Sequence, residues 1–340
     1  MTQMRVYEVQ KGATSIDGLR LAQRPDPQPG WHQVLIRVRA TSLNYRDQMV
    51  VTGNYFGGPV TRDLIPLSDG AGEVMAIGPG VTRFKTGDRV CGTFFQGWIS
   101  GPMTMRHPAL GSPLDGTLAE YIALDEDGVV AMPATLSFEE AATLPCAGLT
   151  AWNALMVSGK TVKPGDTVLC LGTGGVSMAG LLFAKAAGAR VIVTSSSDEK
   201  IGRSVALGAS DGVNYKKHPE WQKRVLELTA GHGADHILEN GGAGSLNKSF
   251  EACAFGGKVA LIGFLEARTG DVDPAIIMMK AGSMIGIGVG SRAMFEDMNR
   301  AIDANKIKPV VDKVFPFEKA ADAFRCQASG DFIGKVVITV

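Results

Sequence analysis

Three of the four residues 172–175 are glycine (Gly172, Gly174 and Gly175), and they follow directly on the apolar run Val168, Leu169, Cys170 and Leu171. A turn with so few Cβ atoms lets a phosphate come close to the backbone. From Val176 the apolar residues Val176, Ala179, Leu182, Phe183 and Ala186 recur at helical spacing until Gly188. A helix therefore starts beneath the turn, and its free N–H groups and dipole face an anion. The spacing predicts that Gly172, Gly174, Gly175 and Val176 bind the pyrophosphate of a dinucleotide. The strict G-x-G-x-x-G fingerprint is broken, because position 177 holds Ser177. What strengthens it is context: a second strand at Arg190 to Thr194 completes a βαβ unit of about thirty residues. The competing reading is an ordinary βαβ turn that binds nothing.

The end of that second strand selects the cofactor. Enzymes that use NAD usually place a carboxylate there against the adenosine ribose. This chain has Thr194, Ser195, Ser196 and Ser197, with Lys200 one helical turn further on. Small hydroxyls and a cation suit a ribose 2′-phosphate, so NADPH is expected over NADH. Asp198 and Glu199 also fit the first turn of the next helix, behind a serine cap; the two readings are compatible.

These residues sit in a chain of three textures. Residues 1–130 alternate short β-like runs (Val34 to Val38, Gly72 to Ile77, Arg89 to Gly92, Glu120 to Leu124) with Gly/Pro turns, an antiparallel, barrel-like pattern. From 131 to 305 the runs VLCLG, RVIVTS, GVNY, HILENG, KVALIG and SMIGIGVG alternate with helical segments, which predicts a doubly wound, six-stranded parallel sheet. Residues 306–340, with a strand, a helix at Ala320 to Ala328 and a terminal strand, are expected to return to the first domain.

Composition narrows the class. Lysine plus arginine and aspartate plus glutamate balance at 34 each, so no basic field for nucleic acid or an anionic membrane is present. Without a long apolar run or a signal-like N-terminus, a cytoplasmic protein is expected. The five cysteines are odd in number and form no C-x-x-C pair, which argues for reduced, mostly buried thiols.

The blocks GPGV at 78–81, GDRV at 87–90, GTLAEY at 116–121, LPCAGLTAWNAL at 144–155, the glycine turn and the closing GKVVITV together resemble the medium-chain dehydrogenase/reductase superfamily, the fold of alcohol dehydrogenase and quinone oxidoreductase. The resemblance covers nearly the whole chain. It implies an α/β protein with a GroES-like β-barrel catalytic domain and a Rossmann cofactor domain.

It also separates zinc enzymes from zinc-free ones. A catalytic zinc needs three protein ligands and an open position. Where zinc members carry a first cysteine in C-x-x-D, this chain reads Asn44, Tyr45, Arg46, Asp47; where they carry a histidine, Ser68 precedes Asp69. Only Cys146 survives at the third position. The four-cysteine structural lobe would fall between Cys91 and Gly116, where Phe94, Phe95, Trp98, Met103 and Met105 stand instead. No metal is expected, the alternative being an unusual site from Asp47, Asp69 and Cys146.

Without a Lewis acid, an alcohol is hard to activate as a hydride donor, whereas a quinone or α,β-unsaturated carbonyl already has an electron-poor carbon. Reduction of such an acceptor by NADPH is the expected reaction. A zinc-free alcohol dehydrogenase or carbonyl reductase is the alternative, and a non-catalytic NADPH-binding protein, as among lens relatives, a lesser one. Asn44, Asp47 and Tyr55 match residues lining the nicotinamide pocket of quinone oxidoreductases. Tyr55, a phenol, can donate to an enolate oxygen or be a turn tyrosine after Gly53. Asn44 suits a ribose or substrate carbonyl, or its own turn, and Asp47 is expected to orient Arg46 or Asn44.

The same resemblance places Ser68 and Thr150 on the nicotinamide side of the cleft, and Lys200 and Tyr215 around the 2′-phosphate. Asn240, Gly263, Phe264, Val289 and Ser291 fall at carboxyl strand ends, where ligands bind in open α/β sheets. Lys335 is expected to reach a cofactor phosphate. The loop from Phe94 to Met105 either roofs an apolar substrate pocket or packs beneath itself. SMIGIGVG, a long uncharged edge strand, predicts a homodimer.

Overall fold

The computed structural model describes residues 2–104 and 106–340. Two compact units emerge, Met1–Leu149 with Gly290–Val340, and Thr150–Val289. These boundaries differ from the expected 130/131 and 305/306. Helix Arg292–Asn305 is tied to the first unit: Asn299 Nδ2 donates to Ala131 O at 2.9 Å, and Asp303 accepts from Ala134 N and Thr135 N at 3.1 Å each. These long-range bonds have no signature in local spacing.

The first unit is built on a seven-stranded sheet ordered Val311–Pro316, Lys335–Thr339, Gln33–Ser42, Asp69–Ile77, Arg89–Gly92, Val129–Ala131, with Tyr121–Asp125 also paired to Gln33–Ser42. The C-terminal segment does return here, as Val337 pairs antiparallel with Ser42. Alternation along Gln33–Ser42 buries Val34, Ile36 and Val38, the first two against Val74, Val90, Leu110 and Val129. An antiparallel hairpin, Gln3–Val9 with Leu19–Pro25, was not evident from its turn residues and completes this unit.

The second unit is the six-stranded parallel sheet, in the order Asp211–Asn214, Arg190–Ser195, Thr167–Cys170, Ala234–Glu239, Cys253–Leu261, Ser283–Gly286. This is the 3-2-1-4-5-6 arrangement of a dinucleotide fold, with its switch point beside the first strand. The central strands read as apolar runs because both faces are covered. The last strand is shorter than SMIGIGVG suggests and stops at Gly286. Val289 holds a left-handed backbone (φ 49°), and its carbonyl accepts Asn153 Nδ2 at 2.8 Å, so the chain leaves the ladder there. No helix among the described residues is long and apolar enough to cross a membrane.

Candidate active site

In the second unit the strand Thr167–Cys170 runs into the glycine turn, and helix Gly175–Ala186 rises from it with Gly174 as its N-cap. Gly172 has φ 79°, and a Cβ added at Gly172 or Gly174 would meet nothing within 4 Å, so the backbone here faces open space. Gly172 N donates to Thr194 Oγ1 at 3.2 Å, which pins the turn to the neighbouring strand. Ser177 explains the broken fingerprint. Its hydroxyl is buried and donates to Leu171 O at 2.7 Å, a bond that a third glycine could not make. A dinucleotide pyrophosphate fits this cradle.

Around the end of strand Arg190–Ser195, Ser195 is buried, Ser196 and Lys200 are half-buried, and Tyr215 is partly exposed, its N–H donating to Ser195 O at 3.0 Å. Asp198 is drawn away from the strand end. Asn214 Nδ2 donates to it at 2.7 Å and Lys217 forms its ion pair, and these hydrogen bonds hold its carboxyl below the usual range. Ser197 caps the helix as expected, accepting from Lys200 N at 3.3 Å.

Asn240 occupies a strand end, but its Nδ2 donates to Leu171 O (3.1 Å) and Ser177 Oγ (3.2 Å), so it braces the glycine turn. Gly263 lies close against it, since a Cβ there would sit 2.9 Å from Asn240 O. Sequence reasoning missed Glu239. Fully buried, its carboxylate accepts from Gly241 N (2.7 Å), Gly242 N (3.1 Å), Ser245 Oγ (2.7 Å) and Ser249 Oγ, and burial raises its pKa against these bonds. The signal was available: an apolar strand ending in an acid before two glycines. Phe264, half-buried, lies beside Arg268, while Thr150 is buried.

In the first unit Asn44 precedes the short helix Tyr45–Val51, and Asp47 Oδ2 accepts its backbone N–H at 2.7 Å. Burial raises the Asp47 pKa to about 6 even though Arg46 opposes the shift. Arg46 is itself buried, donating to Leu110 O (2.9 Å) and Ser112 O (3.1 Å), with Asp47 at 3.5 Å. Its guanidinium lies 4.6 Å from the centroid of the half-buried Tyr55 ring. Asp47 thus touches both the Asn44 backbone and the Arg46 guanidinium.

Lys335 requires a correction. It is 5% exposed, and its ammonium donates to Leu43 O (2.6 Å), Asn44 Oδ1 (2.5 Å) and Asp69 Oδ2 (3.3 Å). All three protons of an ammonium are thereby matched within the first unit, and none is left for a phosphate. Ser68, buried, donates to Asp69 Oδ1 at 3.0 Å, and Ser42 to Asp69 Oδ2 at 3.1 Å. Ser291, also buried, caps helix Arg292–Asn305 by accepting from Met294 N, and it stands in the first unit. Cys146 is half-buried, and burial raises its thiol pKa, so it stays protonated.

In the aromatic loop the packing reading holds for Phe94 and Trp98, both buried, with Trp98 stacked on His107. Met103 is exposed, and Met105 lies outside the described residues.

Comparison with known proteins agrees with this architecture. Residues 30–134 match the alcohol dehydrogenase GroES-like domain family and residues 175–304 the zinc-binding dehydrogenase family. A zinc-type alcohol dehydrogenase-like protein of Schizosaccharomyces pombe is 43% identical, covering 98% of this chain and 99% of the relative. Quinone oxidoreductase of Pongo abelii is 30% identical over 87% of this chain and 85% of its own length. A solved structure described as an NAD-dependent alcohol dehydrogenase is 36% identical with a TM-score of 0.91, covering 99% of this chain and 100% of that one.

Proposed function

The chain belongs to the medium-chain dehydrogenase/reductase superfamily and is an NAD(P)-dependent oxidoreductase, and on that premise we propose that it reduces quinones or α,β-unsaturated carbonyls with NADPH and without zinc. The observation that carries this reading is at Asn44. Its amide oxygen is taken by the Lys335 ammonium, while its Nδ2 is buried and has no hydrogen-bond partner among the described residues. A buried donor left unpaired is costly unless a ligand completes it.

The donor set does not suit zinc. At the two lost ligand positions stand an amide already bonded to a cation and a hydroxyl already donating to Asp69, and Lys335 brings positive charge to the same carboxylate. Among the described residues no cluster of three His, Cys, Asp or Glu side chains is placed to hold a metal. Metal analysis of protein purified without chelator should find well under one zinc per chain. Stoichiometric zinc whose removal stops turnover would sink this mechanism.

NADPH held at the glycine turn would supply the hydride that the electron-poor carbon of the acceptor takes up. Gly172, Gly174, Gly175 and Val176 would hold its pyrophosphate through the turn backbone and the helix N-terminus. Asn44 Nδ2 and the Tyr55 hydroxyl donate hydrogen bonds to the acceptor oxygen, which become stronger as negative charge develops there. Tyr55 can pass its proton to that oxygen, leaving the reduced carbon with the hydride and the oxygen with a proton, and the phenolate regains its proton from water. The test is oxidation of NADPH, followed by its absorbance, against 1,4-benzoquinone, crotonaldehyde and cyclohexanone. Turnover of the first two is expected. Activity confined to the saturated ketone would favour the carbonyl reductase reading that the alcohol dehydrogenase names of relatives suggest.

Preference for NADPH is supported by Ser195, Ser196, Lys200 and Tyr215 at the strand end and by the engagement of Asp198 elsewhere. Lys200→Ala should weaken NADPH by about 1.5–3 kcal/mol, a charge-assisted bond, and leave NADH nearly unchanged. A wild-type enzyme with the better kcat/KM for NADH would refute the assignment.

A homodimer is supported by the edge strand Ser283–Gly286, where Met284 is exposed, and by Met278 and Met279 at 70% and 76% exposure on the preceding helix. Light scattering should give twice the chain mass; a stable monomer at working concentration would count against it.

A further inference from the structure

We propose that Lys335 is a positioning residue: its ammonium decides which end of the Asn44 amide is presented to the acceptor. This rests on the donor role of Asn44 argued above.

An asparagine amide presents an oxygen that accepts and a nitrogen that donates, and rotation by half a turn exchanges them. Which one faces a ligand depends on what grips the other. An ammonium has no acceptor, so the end of Asn44 that meets Lys335 at 2.5 Å has to be Oδ1. The opposite end is then Nδ2, the buried atom without a partner. The residue is gripped from two further directions. Its backbone N–H is held by Asp47 at 2.7 Å, and Lys335 also binds the carbonyl of the preceding Leu43 at 2.6 Å. Asp69, fully buried and fed by Ser68 and Ser42, keeps the ammonium in place from the other side. With a neutral side chain at 335 only the capping contact with the Asp47 backbone N–H would hold Oδ1, and the amide could exchange its ends, turning an oxygen toward an acceptor oxygen that it would repel.

The test uses Asn44→Ala, Lys335→Met, the double variant and Lys335→Arg in the full chain, with 1,4-benzoquinone as acceptor. Lys335→Met should lower kcat by about 10- to 100-fold, the scale of a misplaced catalytic contact, while the NADPH Kd stays within about twofold. In the Asn44→Ala background the same change should cost less than about threefold, because the group it orients is gone. Lys335→Arg, which keeps a cation and its donors, should recover part of the loss. Equal losses in both backgrounds, or a tenfold weaker NADPH Kd, would overturn the assignment and indicate a general structural or phosphate-binding role. A second measurement needs no turnover: the Asn44 side-chain amide resonances, assigned by their loss in Asn44→Ala, should shift strongly in Lys335→Met and measurably in Lys335→Arg. Should Lys335→Met fail to fold, Lys335→Arg decides by the same resonances, and no shift refutes the proposal. An inactive wild type with shifted resonances would refute the proposed reaction and leave the positioning intact.

Discussion

Tyr55→Phe is expected to cost about 2.7–4 kcal/mol in the transition state, roughly 100- to 1,000-fold in kcat, the loss typical of one donor to a developing oxyanion. The variant deletes only the hydroxyl. The ring contact with Arg46 at 4.6 Å and the edge contact with Phe56 at 5.2 Å remain, so the pocket wall is preserved. Arg46 keeps its bonds to Leu110 O, Ser112 O and Asp47 and loses only its hydrogen bond with the phenol oxygen. The loss should fall on kcat more than on KM, because the bond is strongest when charge has reached the acceptor oxygen. The effect shrinks if water replaces the hydroxyl. Wild-type kcat with both a quinone and an enal would make Tyr55 a wall and solvent the proton source.

Glu239→Ala should destabilise the protein by about 3–5 kcal/mol in urea titration, because it strands donors grouped around a buried charge. Two backbone N–H groups of Gly241 and Gly242 and two serine hydroxyls converge on that carboxylate. Gly242 adopts φ 80°, a left-handed turn that the carboxylate holds closed. The loop it shapes begins at Asn240, which braces the glycine turn, so NADPH affinity should fall with stability. Burial raises the Glu239 pKa above its unfolded value, so the folded state favours the protonated form. Its contribution is therefore fullest at pH below the unfolded carboxylate range and declines as pH rises through the folded value. Glu239→Gln, which mimics the protonated form, should cost less than Glu239→Ala. A loss below about 1 kcal/mol for Glu239→Ala would show that the loop closes without the carboxylate.

Much of this was legible in the chain because it is local. The run from Val168 through the glycines to Gly188 carries strand, turn and helix within one βαβ length, and the structure places Thr167–Cys170 and Gly175–Ala186 there. The serine cap at 197 likewise depends on neighbours three residues apart. Nothing local marks where the last parallel strand ends, since the bond from Asn153 to Val289 spans 136 residues. Ser291 read as a strand-end residue because the apolar run continues to it, yet a helix begins there.

Lys335 shows the division most clearly. Its place in a terminal GKVVI block was visible, but its partners lie 266 and 291 residues away in sequence, on Asp69 and Asn44. Residue type and short spacing determine which elements form, which turn admits a phosphate, and which positions lack the cysteine and histidine that zinc requires. Whether a buried cation faces solvent, a phosphate or an asparagine depends on which strand ends the sheet brings together. That is a property of long-range pairing, and a buried charge takes the partners that desolvation forces on it.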